Sequence, residues 1–189
     1  MRCGRMLSLC RSIPHSDPEP VDLLTDRLRL REFIHEDWTF VHHYQNDSRY
    51  QRFYDQSEWS EDHCRDFVSG FVRQQDEVPR RKFQFVVEVD VEAVGICGIR
   101  RDAGSNSTGN MGFEIAPHHW RRRYATEAAI RVLAFGFREL KLNRVWAECI
   151  GDNTSSRRVL EKIGMTGEAH LQDHLWFRVA SGIGCSTVF

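Results

Sequence analysis

Arg121-Arg122-Arg123 stands between Pro117 and the run Tyr124-Ala125-Thr126-Glu127-Ala128-Ala129, which continues as the strongest helical pattern of the chain. A helix over 121–141 would therefore open with three cations. Acids are favoured at that end, and each misplaced exposed charge costs about 0.3–1 kcal/mol. A bound polyanion reverses the sign of that cost. The first helical turn also has unpaired N–H groups, and with guanidinium donors these suit a pyrophosphate. A solvated basic loop is the competing reading.

A second candidate anion site is Gly151-Asp152-Asn153-Thr154-Ser155-Ser156-Arg157-Arg158. Asn153 is a good N-cap. Ser156 then falls at the third helical position, where a capping box carries Glu or Gln. Its hydroxyl is left to face a ligand, and Arg157 and Arg158 add positive charge. Glu114, inside Met111-Gly112-Phe113-Glu114-Ile115, is the nearest candidate general base; solvent exposure is the competing reading. Asp173 and His174 are weaker candidates. No metal is expected: His170 and His174 are four apart but in a strand-like run without an HExxH helix. No cysteine pair has CxxC spacing either.

These residues need a scaffold of strands and helices. Thr25 to Arg31 alternates charged and apolar residues, as a half-buried strand does. Glu36 and Asp37 open a helix with Trp38, Val41 and Tyr44 on one stripe. Ser60 caps another that carries Cys64, Phe67, Val68, Phe71 and Val72. Phe83 to Val89 and Ala93 to Arg100 read as a hairpin turned at Asp90–Glu92. Met111–Ile115 is a further strand, and Val145 to Cys149 another. Asn153 to Gly164 spans a helix, and Ala169–Phe177 a strand. The glycine-rich end after Arg178 predicts a last strand that is short or missing.

Hairpins first and strand–helix alternation later predict an α+β, or mixed α/β, domain. Its sheet is single, twisted, mostly antiparallel and six- to seven-stranded, with flanking helices. Residues 1–20 are expected to be a disordered tail, because Pro and charge crowd Ser16–Pro20. Residues 21–189 are expected to form one domain. With 41% hydrophobic and 28% charged residues the chain is globular in composition. A net charge of -1 disfavours nucleic acid as a partner. No run of 18 apolar residues exists to span a membrane. Unpaired cysteines and no export signal point to the cytoplasm.

Gly112-Phe113-Glu114-Ile115-Ala116-Pro117, Tyr124-Ala125-Thr126-Glu127-Ala128, Asn153-x-x-Ser156 and Glu161-Lys162-Ile163-Gly164-Met165 occur in that order. Together they resemble the GNAT superfamily of acyl-CoA N-acetyltransferases. Thr25 to Arg31 is similar to the first strand of its ribosomal-protein-alanine acetyltransferase branch. The resemblance covers about Leu23 to Phe177. It implies acetyl-CoA as co-substrate, bound by Ile115, Arg121, Arg122, Arg123, Tyr124, Ala125, Thr126, Asn153 and Ser156. It implies direct transfer of the acetyl group to a primary amine, on a small molecule or a protein N-terminus, and a homodimer as one assembly. Ser156 would serve the leaving thiolate and Glu114 the amine. Two positions depart from the family's phosphate loop: Trp120 replaces Gln or Arg, and Arg123 replaces a glycine. An inactive acyl-CoA-binding module of the same fold is the alternative these departures favour, and a nucleic-acid module using the arginines is a third reading.

Overall fold

A computed structural model describes residues 20–53, 59–175 and 184–189. Residues 1–19 of the expected tail lie outside them. The chain begins with β1 (Leu23–Leu24) and β2 (Arg29–Glu32), antiparallel with Leu23 opposite Leu30. Thr25 to Leu28, expected within the strand, forms the turn between them. The Thr25 N–H donates to the Leu28 carbonyl at 2.9 Å, and its hydroxyl accepts from the Leu28 N–H at 2.9 Å. A threonine hydroxyl that bonds nearby backbone competes with the sheet ladder.

A single 3-10 turn, His35–Asp37, leads into α1 (Trp38–Gln45). The short α2 (Ser48–Gln51), which the sequence did not signal, is capped by the Asp47 carboxylate accepting from the Arg49 N–H. α3 (Glu61–Gln75) starts where Ser60 predicts: the Ser60 hydroxyl accepts from the His63 N–H at 3.2 Å. β3 (Lys82–Val89) and β4 (Glu92–Arg101) form the expected hairpin through Asp90 and Val91, both at positive φ. Phe83 to Glu88 are all buried, Gln84 and Glu88 included. Side chains from both faces of this sheet pack into separate apolar clusters, so alternation here does not mean one wet face.

β5 (Thr108–Ile115) begins at Thr108 rather than Met111. Then follow α4 (Tyr124–Arg138), β6 (Arg144–Trp146), β7 (Glu148–Ile150) and α5 (Thr154–Lys162). β8 (Ala169–Leu175) and β9 (Gly184–Val188) close the chain. β1 to β6 lie side by side in chain order in one six-stranded sheet, parallel only between β5 and β6. This is the mostly antiparallel α+β sheet with flanking helices that the sequence predicts, but it is not the single sheet expected: β7, β9 and β8 form a second, three-stranded sheet. One face packs Leu30, Phe85 and Ile99 against Ala128, Ala129 and Val132 of α4. The other packs Val86 and Ile96 against Val41 and Tyr44 of α1 and Cys64 and Val68 of α3.

The run Val145 to Cys149 divides at Ala147, so that β6 stays beside β5 while β7 joins β9. β9 corrects the expectation of a short or missing last strand. It is five residues long and lies between β7 and β8, antiparallel to both. Cys97 and Cys149 are buried and free, as small core residues are. Burial pushes their thiols up to about 12 and about 11.

Candidate active site

β6 pairs with β5 only over Thr108, Gly109 and Asn110. Beyond Asn110 the strands part around a cleft of about 390 Å³, lined by Met111 to Glu114 of β5 and by Ala147 to Ile150 around β7. Asn153 and Ser156 reach it from α5, and Phe67 and Phe71 from α3. The Ala116 N–H donates to the Val94 carbonyl at 2.9 Å. Bonding direction alternates along an antiparallel pair, so Gly112 and Glu114 also turn their N–H groups to β4. Those of Phe113 and Ile115 therefore face the open edge.

Glu114 lines the cleft rather than facing bulk solvent. Its Oε2 accepts from two tyrosine hydroxyls, Tyr44 of α1 at 2.6 Å and Tyr50 of α2 at 2.8 Å. The tyrosines are only 1% and 6% exposed. The sequence placed Tyr44 on an apolar stripe and gave Tyr50 no part. The usable signal was chemical: a buried tyrosine hydroxyl needs a partner.

Ser156 occupies the third position of α5, where its N–H donates to the Asn153 Oδ1 at 3.1 Å. Its hydroxyl has no partner among the described residues and the residue lines the cleft. Arg157 is engaged with Glu161 one turn along, at 3.6 Å. The side chains of Asp173 and His174 lie outside the described residues. Among those residues, no group of three His, Cys, Asp or Glu side chains is arranged to hold a metal.

The remaining candidates gather at the start of α4. Here the helix expected over 121–141 is corrected: it begins at Tyr124, so the arginines precede it. Arg121 and Arg123 are left-handed, with φ of 65° and 68°. The first helical bond runs from the Glu127 N–H to the Arg123 carbonyl at 3.1 Å. The N–H groups of Tyr124, Ala125 and Thr126 have no backbone acceptor among the described residues. Arg121, Arg122 and Arg123 are exposed and form no ion pair among the described residues. Trp120 holds this loop to β5: its indole N–H donates to the Ile115 carbonyl at 2.6 Å.

Arg27 ties the same corner to the first strands. Its guanidinium lies 5.1 Å from the Tyr124 ring centre and donates to the Arg122 carbonyl at 3.3 Å. It also donates to Glu127 Oε2, at 2.9 Å from Nε and 2.5 Å from Nη2, while the Thr25 hydroxyl donates to Oε1 at 2.6 Å. Burial opposes ionisation of Glu127, but the Thr25 hydroxyl and Arg27 outweigh it and hold the carboxyl below its usual range. Two sequence motifs about a hundred residues apart are thus one contact.

The sheet thus opens after Asn110, and the start of α4 carries unpaired N–H groups. The chain matches the Acetyltransferase (GNAT) domain over residues 27–166. It belongs to the GNAT family and is an acetyl-CoA-dependent acetyltransferase. Among its relatives is YnaD of Bacillus subtilis, an uncharacterized N-acetyltransferase. The two are 31% identical over 146 residues, 77% of this chain and 83% of YnaD. A GNAT-family acetyltransferase from Bacillus anthracis has a TM-score of 0.75 at 28% identity, covering 89% of this chain and 96% of its own. RimL, a ribosomal L7/L12 alpha-N-protein acetyltransferase solved with coenzyme A, has a TM-score of 0.76. Coverage there is 89% of this chain and 97% of RimL, but at 14% identity the likeness is one of fold.

Proposed function

We propose that this chain moves the acetyl group of acetyl-CoA directly to a primary amine, within one domain spanning residues 21–189. The observation that carries this reading is the meeting of Glu114, Ser156 and the unpaired β5 edge around one cleft.

The donors on this chain fit the coenzyme. The free N–H groups of Tyr124, Ala125 and Thr126, with Arg121, Arg122 and Arg123, suit a diphosphate. The free β5 edge suits amide carbonyls, which need donors once buried. The coenzyme supplies an activated thioester when bound. A backbone N–H of Phe113 or Ile115 polarises its carbonyl, a contribution that grows as negative charge develops on the oxygen. Glu114, held in place by Tyr44 and Tyr50, accepts the proton that the attacking amine gives up, directly or through a water. The Ser156 hydroxyl donates a hydrogen bond to the sulfur as the carbon–sulfur bond breaks; the coenzyme leaves as a thiolate, which takes up through water the proton that Glu114 removed from the amine, so that Glu114 and Ser156 are both restored. Asn153 fixes Ser156 by capping its helix.

Thiol release over a panel of amines, with calorimetric titration of acetyl-CoA, tests this. Binding without turnover on any amine would support the inactive module instead. Ser156→Ala should lower turnover about a hundredfold, within the usual worth of a positioned proton donor, and leave acetyl-CoA affinity within about twofold. Unchanged turnover in that variant removes Ser156 from the reaction.

A further inference from the structure

We propose that the acceptor is a zwitterion, an apolar α-amino acid whose carboxylate is held by Arg100 while its amine faces Glu114. This rests on the transfer reading above and names its substrate class.

Arg100 lies opposite Asn110 in the β4–β5 pair, and Ile96 lies opposite Glu114. Alternate residues of a strand share a face, so Arg100, Gly112 and Glu114 all stand on the side of the sheet that carries α1 and α3. The guanidinium reaches over Gly112: its Nη1 lies 4.0 Å from where a Cβ on that glycine would be. Both Arg100 and Glu114 line the cleft.

The direct partners of Arg100 are neutral. Nη1 donates to the Asn110 Oδ1 at 2.9 Å. The Gln84 amide, with its oxygen turned to the arginine, accepts from Nε at 2.7 Å and Nη2 at 2.9 Å. Two of the five guanidinium N–H groups are then left without an acceptor among the described residues, one on each terminal nitrogen. No carboxylate stands within 4.0 Å of it among those residues, so Glu114 acts on it only from a distance. By contrast, Arg31 has both Asp37 and Glu88, and Arg80 has Glu32. A partly buried cation with neutral partners carries a desolvation cost that an incoming anion offsets. A carboxylate is the anion best shaped to take the remaining N–H groups.

The surroundings supply the other two features of the substrate. Glu114 provides the negative group for the amine. Phe67 and Phe71, with ring centres 4.5 Å apart, form an apolar wall for the side chain. Gly98 lets the Gln84 amide lie flat across the sheet, since a Cβ there would come within 2.0 Å of it.

Phenylalanine and phenethylamine differ only in the carboxylate and make the test. Coenzyme release is measured on both, and calorimetry compares N-acetylphenylalanine with N-acetylphenethylamine. The expected result is at least a tenfold preference for the carboxylate-bearing member in kcat/KM and in Kd, falling towards one in Arg100→Gln. If that variant does not fold, the wild-type ratios decide. Equal or inverted ratios in the wild type overturn the proposal, and transfer to phenethylamine would then leave the transferase reading standing. Preferential binding of N-acetylphenylalanine without turnover on any amine supports carboxylate recognition and sinks the transfer reading. Failure of both products to bind overturns the proposal.

Discussion

Arg123 shows how one side chain can carry opposed effects. Its φ of 68° costs an L-residue about 1–2 kcal/mol. A glycine there escapes that cost but gives up about 0.4–1 kcal/mol through a looser unfolded chain. Arg123→Gly should therefore leave folding stability unchanged or raise it by up to about 1.6 kcal/mol. Its effect belongs to the ligand: acetyl-CoA affinity should fall severalfold, with a weaker dependence on salt, because one screened charge has gone. Calorimetry at low and high salt checks this, and an unchanged Kd at both would mean that the guanidinium does not meet phosphate. The arginine run was conspicuous in the sequence. That two of its residues must be left-handed was not, since the types at 121 and 123 do not announce positive φ.

The β1–β2 turn and the first turn of α4 are joined by Thr25, Arg27 and Glu127. The Arg27 side chain is 49% exposed and that of Glu127 21% exposed, so the pair is worth no more than a surface bridge of about 0.5–1 kcal/mol. Because the folded carboxyl is held below its ordinary range, the stabilisation is present above that range and is lost as pH falls through the folded value. A double-mutant cycle of Arg27→Ala and Glu127→Ala, read by urea denaturation, should give that coupling at pH 7 and a progressively smaller one as pH falls through the range in which the folded carboxyl takes up its proton. A coupling independent of pH would contradict the charge assignment. The caps at Ser60 and Asn153 and the β3–β4 hairpin were legible beforehand, because each depends on neighbours within a few residues. The clasp was visible only as two separate motifs.

How the sheets are completed depends on the very end of the chain. Phe189 is 4% exposed, and its backbone exchanges two hydrogen bonds with Ala147, at 2.8 and 3.0 Å. It thus seals the point where β6 and β7 separate. Phe189→Ala should cost about 3 kcal/mol, as buried Phe truncations do, whereas a loose terminal residue would cost nothing measurable. Thermal and urea denaturation distinguish these outcomes.

Local spacing was enough to establish the α+β class, the helix starts and the order of the motifs, because these arise from contacts within one turn or one hairpin. The division of Val145 to Cys149, the insertion of β9 between β7 and β8, and the grip of Tyr44 and Tyr50 on Glu114 were settled by folding. Their partners lie 64 and 70 residues from Glu114 and about 40 from β7, in separate elements, and no periodicity in one segment encodes where a distant one will come to rest.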